Sequence, residues 1–196
     1  MTETGTTRAT FLARGAKGGL ALVAGGSALA LTDGVALGAA SADATIAKLA
    51  ATAELLAIDF YRHAIASKKL KGDELAYLAE AMGNEQAHYK ALKGVLKSAT
   101  PHGLKFKYPA GSFRSRKSIG MLGEALETAF VGAYMGAVTA FKSNELKGVA
   151  AEIGACESRH LSVLSNIAAN QIVGAPNLPK VLTAAQATAA VKPFLA

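Results

Sequence analysis

A Glu-x-x-His pattern occurs twice in this chain, as Glu85–His88 and Glu157–His160, 72 residues apart. About 30 residues before each copy stands a glutamate with a tyrosine seven positions later: Glu54 with Tyr61, and Glu127 with Tyr134. The corresponding members are offset by 73, 73, 72 and 72 residues, so the chain is internally duplicated. Ten glutamates and four histidines in 196 residues would produce about 0.2 such patterns by chance. Two copies with matched upstream partners therefore constrain the fold, and they require an element on which residues three apart share a face. That element is the helix.

The rest of the chain agrees. Just over half the residues are hydrophobic, aromatics are few and tryptophan is absent. Alanine and leucine, both strong helix formers, are abundant. Ile46, Leu49, Ala53, Leu56, Phe60 and Ala64 recur at threes and fours, which predicts a first helix from about Asp43 to Ser67. A second is expected from an Asp73 cap to about Lys97, a third from near Ser118 to near Lys142, and a fourth from an Asn144 cap to about Ile172. Each would be about 38 Å long. Short turns make the first and second helices, and the third and fourth, antiparallel hairpins. The roughly 20 residues between them span the bundle as one long crossover. The expected fold is thus all-α, a ferritin-like four-helix bundle, with a short tail helix opened by the Thr183–Gln186 capping-box spacing and ended by Pro193. Val181, Leu182 and Phe194 are expected to pack this tail on the bundle. The domain reading is a leader over 1–42, the bundle over 43–172 and the tail over 173–196.

Four carboxylates and two imidazoles in this order are the ligand set of a dinuclear iron or manganese centre inside such a bundle. Glu54, Glu85, His88, Glu127, Glu157 and His160 are the predicted ligands. Glu54 and His88 would serve one ion, Glu127 and His160 the other, and Glu85 and Glu157 would bridge. Glutamate is rarely buried unless paired or metal-bound, and no row of Arg or Lys accompanies these four. A buried ion-pair network through Arg62 or Arg159 is the competing reading. Glu124 lies one turn before Glu127, but only Glu127 keeps the 73-residue offset. Tyr61 and Tyr134 are placed to hydrogen-bond the bridging carboxylates or to carry an electron, with simple packing beside the site as the alternative. His63 falls about half a turn away from Glu54 and is expected on the surface, and His102 in the crossover is expected to be solvated. Cys156, the only cysteine, excludes an internal disulfide framework and cysteine-rich clusters. It reads as a small buried apolar residue, although it shares a face with His160.

The N-terminus has the parts of an export leader: Arg8, Arg14 and Lys17, an apolar run from Gly18 to Leu31, and Ala40-Ser41-Ala42 as a cleavage site. Thr7-Arg8-Ala9-Thr10-Phe11-Leu12 resembles a twin-arginine signal with Ala9 in place of the second arginine. An uncleaved membrane anchor or a disordered tail is the competing reading. Export to the periplasm, envelope or extracellular space argues against a nucleic-acid partner for a chain of formal charge +7. The basic stretch Lys105, Lys107, Arg114, Arg116 and Lys117 reads as a solvated loop, with an anionic envelope surface as its alternative partner.

Leu126-Glu127, Ala133-Tyr134, Glu157-x-Arg159-His160 and Tyr108-Pro109-Ala110-Gly111 resemble the exported bacterial ferritin-like domain proteins, the group that includes the desiccation-related proteins. The likeness covers about Thr45 to Ala168. It implies the fold and a dimetal centre, with stress or drying as the setting. With two iron or two manganese ions, oxidation of Fe(II) or removal of hydrogen peroxide would fit, as ferroxidase- or peroxidase/catalase-like chemistry with dioxygen or peroxide as partner. A non-catalytic metal-binding envelope protein is the alternative, and the choice between enzyme and binder stays open.

Overall fold

The computed structural model describes residues 41–171 and 179–196. The leader reading therefore lies outside the described residues up to position 40, as does the expected end of the fourth helix at Ile172. Four long helices carry the described chain: α1 Ser41–Ala66, α2 Gly72–Leu96, α3 Arg116–Ala140 and α4 Asn144–Ala169. Their lengths of 26, 25, 25 and 26 residues preserve the duplication. A short α5, Ala184–Val191, closes the described chain with a 3-10 turn at Lys192–Phe194. None of the described helices is long and apolar enough to cross a membrane.

Helix starts are where the expected caps need correction. Asp73 is not the cap of α2; it lies in the first turn, behind an extended Lys71 with no side-chain cap. Its charge there suits the positive end of the helix dipole. Asn144 is likewise the first helical residue of α4, and Ser143 is the cap, accepting from the Leu146 amide. Helix α3 starts two residues before Ser118, because Ser115 caps it and Ser118 completes a reciprocal capping box. The tail behaves as its spacing predicts, with Thr183 and Gln186 forming the capping box of α5. However, Val181 is exposed, and Ala187 and Val191 are the residues α5 buries.

Helices α1 and α2 form one hairpin, α3 and α4 the other, and residues 97–115 cross between them. The second hairpin closes onto backbone: a Cβ at Gly120 would sit 2.5 Å from the Ala168 nitrogen. Asp43 at the start of α1 is buried and accepts from the Lys142 and Ser143 amides at 2.9 and 3.0 Å, tying the first hairpin to the turn of the second. The crossover is pinned through Tyr108, whose hydroxyl donates to Asp59 Oδ2 at 2.9 Å, and through Lys107, whose amide donates to the Phe194 carbonyl at 2.8 Å. Arg116 departs from the solvated-loop expectation for its basic stretch. Its guanidinium forks onto Glu74 at 2.6–3.0 Å and donates to the Ile167 carbonyl at 2.9 Å, joining α3, α2 and α4. Lys105, Lys107, Arg114 and Lys117 are exposed.

Two apolar clusters fill the bundle. One gathers Leu56, Phe60, Leu78, Ile119, Phe130, Leu164 and Ile167; the other gathers Ala47, Ala51, Leu92, Leu96, Phe141, Leu146 and Val149. On every helix the glutamate or Glu-x-x-His of the duplication falls between residues of the first cluster and residues of the second. A polar layer thus crosses the middle of the bundle with apolar packing at both ends.

Candidate metal centre

That layer contains all six predicted ligands. Glu54, Glu85, Glu127, Glu157 and His160 are at most 2 % exposed. The His88 side chain is 13 % exposed. Residues three apart on α2 and on α4 project together, so His88 Nδ1 meets Glu85 Oε2 at 3.1 Å and His160 Nδ1 meets Glu157 Oε2 at 3.0 Å. The same two nitrogens also face carboxylates of other helices. His88 Nδ1 is 3.4 Å from Glu54 and 3.1 Å from Glu157, and His160 Nδ1 is 2.8 Å from Glu85 and 3.8 Å from Glu127. Glu54, Glu85, His88 and Glu157 each offer one ligand atom within 4.8 Å of the others, and so do Glu85, Glu127, Glu157 and His160. Glu85 and Glu157 belong to both groups. Glu124, His63 and His102 belong to neither.

The tyrosines cross the duplication. Tyr61 of α1 donates to Glu127 Oε1 of α3 at 2.5 Å, and Tyr134 of α3 donates to Glu54 Oε1 of α1. Each therefore holds the lone glutamate of the opposite hairpin, rather than the shared carboxylates of α2 and α4 that the sequence reading considered. Burial, and then the neighbouring Glu127 or Glu54, push both phenols well above the ordinary tyrosine value, so they stay protonated donors.

The donor set fits metal cations, and the deciding feature is what the carboxylates lack. Glu54 Oε2, Glu85 Oε1, Glu127 Oε2 and Glu157 Oε1 are buried without a hydrogen bond. A buried ionised carboxylate costs several kcal/mol unless its lone pairs are satisfied. Here each of the four leaves one oxygen without a hydrogen bond; Glu54 Oε2, Glu85 Oε1 and Glu157 Oε1 lie 2.8–3.4 Å from an imidazole Nδ1 that is already shared with other carboxylates. The competing ion-pair network does not form: Arg62 pairs with Asp59, and Arg159 donates to Cys156 Sγ. Among the described residues, the cations facing these glutamates are the two imidazoles alone.

The electrostatics carry the same strain. Burial, with repulsion from Glu85 and Glu157, pushes Glu54 and Glu127 well above the usual carboxylate range. Burial also works against charge on Glu85, but His160 and His88 outweigh it and bring that group to about 2. Both imidazoles resist burial and are held well above the ordinary histidine value by Cys156 and the surrounding glutamates. Without a cation, the burial and the crowded charges thus favour protons on Glu54, Glu127 and both imidazoles.

Behind the imidazoles lie groups the sequence reading passed over or undervalued. Asn84 Nδ2 stands 3.2 Å from His160 Nε2. Cys156 Sγ is 3.7 Å from the same nitrogen, and it is half-exposed rather than buried apolar filling. Burial pushes the Cys156 thiol up, but His160, His88 and Arg159 bring it down to about 6. Tyr77 sets its ring edge-on to His160 with centroids 6.2 Å apart, and its buried hydroxyl has no hydrogen bond. Asn84 and Cys156 immediately precede Glu85 and Glu157, so the 72-residue offset marked them as equivalent positions.

The ferritin-like domain matches residues 42–170 of this chain, from the start of α1 to the end of α4. The chain belongs to the ferritin-like domain family. Within it, the matched region holds the whole carboxylate–imidazole layer and both tyrosines, and α5 lies beyond it. No curated protein matches the chain.

Proposed function

We propose that the six-residue cluster holds two metal ions, iron or manganese, and that this ferritin-like protein performs redox chemistry on Fe(II), dioxygen or hydrogen peroxide. The observation that carries the reading is four buried carboxylates, each with one oxygen that makes no hydrogen bond, facing only two imidazoles. Glu85 and Glu157, common to both ligand groups, would be shared between the ions, and Glu54 with His88 and Glu127 with His160 would complete the two sets. Bound in such a mixed set, iron or manganese supplies reversible one-electron chemistry, hard oxygen donors favouring the higher oxidation state. The chain's own residues do the positioning. Tyr134 ties down one oxygen of Glu54 and Tyr61 one oxygen of Glu127, which leaves the second oxygen of each as the ligand. The apolar clusters above and below keep bulk water out of the layer.

Elemental analysis of the purified full chain tests the first half: two equivalents of iron or manganese are expected, and a metal-free protein that takes up neither would overturn it. Consumption of dioxygen or peroxide in the presence of Fe(II) tests the second. Metal bound without turnover would assign the centre to a structural or sequestering role instead. The same proposal extends to location. The basic, apolar and small-residue parts of residues 1–42 support export and membership in the desiccation-related group. N-terminal sequencing of protein recovered outside the cytoplasm should begin at Asp43. A full-length chain confined to the cytoplasm would remove that part of the proposal.

A further inference from the structure

Helices α1 and α3 face each other with alanines. Ala50 and Ala53 on one side and Ala133 and Ala137 on the other leave a cavity of about 230 Å³, lined also by Phe130 and Tyr134. Its outer wall is the tail. The Leu182 amide donates to the Gly132 carbonyl at 2.9 Å, and Gly136 admits the Leu182 carbonyl where a Cβ would lie only 1.8 Å from that oxygen. Val181, Leu182 and the buried face of α5 then line its outer side. Thus the tail does more than cover the bundle: without its close seat on the two glycines, the alanine-lined space would lack that side.

We infer that this cavity is a binding site for a neutral, largely hydrocarbon molecule, which it holds against Tyr134, one hydrogen bond from Glu54. Size and chemistry both bear on the occupant. The space exceeds the roughly 150 Å³ apolar cavity that takes up benzene and falls short of the roughly 300 Å³ at which drug-sized pockets begin. A two-ring aromatic or a compact terpene-like skeleton fits between those limits. No charged side chain lines it. The lining hydroxyls are already engaged: Thr139 donates to the Gly136 carbonyl, Thr183 caps α5, and Tyr134 donates to Glu54. A ligand carrying charge or needing hydrogen bonds would lose its water without replacement. An apolar one loses nothing. The assignment does not depend on metal, since the cavity and its lining are apart from the carboxylates.

The test uses the purified full chain, metal-free, with naphthalene as probe and labelled Ile, Leu and Val methyls as reporters. Saturable shifts are expected at Ile46, Leu49, Val181, Leu182 and Val191, which line the cavity, and not at Leu78 or Ile167, which do not. Ala133→Leu, filling the space from α3, should weaken binding at least tenfold. Ala50→Leu makes the same test from the opposite wall if that variant does not fold. Naphthalene-2-sulfonate, similar in shape but charged, should bind at least tenfold more weakly than naphthalene. Absent or scattered shifts, equal affinity in the filled variant, or equal binding of the sulfonate would each overturn the inference. None of these outcomes alters the metal content, which is read separately.

Discussion

The two hairpins carry the same ligand frame in different surroundings. In the first, α1 meets α2 through a turn with a left-handed Lys68 and Gly72, and α2 begins without a side-chain cap. In the second, Ser115 and Ser143 cap both helices, and Gly120 lets α3 touch the backbone of α4. The positions equivalent to Gly120 and Gly83 are Ala47 and Ala155, so each hairpin has placed its glycine differently. The difference reaches the site. His160 is fully buried, with Asn84, Cys156 and Tyr77 against its outer face, whereas His88 is partly exposed. Duplication preserved the groups that would touch metal, and divergence accumulated in the groups behind them. The two ligand groups, built from equivalent residues, are therefore unequal.

The strongest challenge to that comparison is removal of a shared ligand. Glu85→Ala and Glu157→Ala should each abolish most metal binding, because each residue serves both ligand groups, while Glu124→Ala should leave metal content unchanged. Equal loss from Glu124→Ala in elemental analysis would show that the third-helix ligand is misassigned. Protons come next. The metal-free cluster holds them on both imidazoles and, by their raised pKa, on Glu54 and Glu127. Metal must displace them, so affinity should rise with pH, about tenfold per unit for each proton released. Calorimetric titration in buffers of different ionisation enthalpy reads the number directly, and an affinity indifferent to pH would remove this account of the cluster.

Packing supplies a third test, at about 3 kcal/mol. Gly120→Ala makes the second hairpin resemble the first at that position, yet it should destabilise by roughly this amount, because the clash is with the Ala168 backbone. A denaturant midpoint matching that of the unmodified chain would mean the helices separate at little cost. A smaller effect is expected behind the histidines. Asn84→Ala should weaken the His160 position about tenfold or more, as loss of a ligand's supporting partner commonly does, and leave the His88 position less affected. Cys156→Asn, which makes the two hairpins alike here, should narrow the gap between the stepwise affinities. The smallest change is Gly83→Ala. A Cβ there meets open space, so the helix should gain about 0.5–1 kcal/mol with metal binding intact.

Local patterns carried much of this molecule. Helical spacing located the four long helices to within a few residues, and the Thr183–Gln186 pair opened α5 where it was expected. Caps were less legible. Asp73 and Asn144 have the right chemistry for a cap, but Ser143 was available beside Asn144, and Lys71 took the position before α2 with no side-chain bond. Asp43 marked only the expected start of the first helix, and its use lies 99 and 100 residues away, on the Lys142 and Ser143 amides. Arg116 read as part of a basic loop because Glu74 is 42 residues earlier.

The chain's order of residues determined by itself that there are two copies of one ligand pattern, that these ride on helices, and which six side chains share a layer. Those properties depend on spacing along one helix and on an offset between helices, both of which are written in the numbering. Tertiary structure alone decided that Tyr61 serves Glu127 and Tyr134 serves Glu54, that Asn84 and Cys156 back the imidazoles, and that alanines on α1 and α3 enclose a space under the tail. These depend on which helix faces which and how closely, and that is set by the total packing of side chains, not by any local run of them.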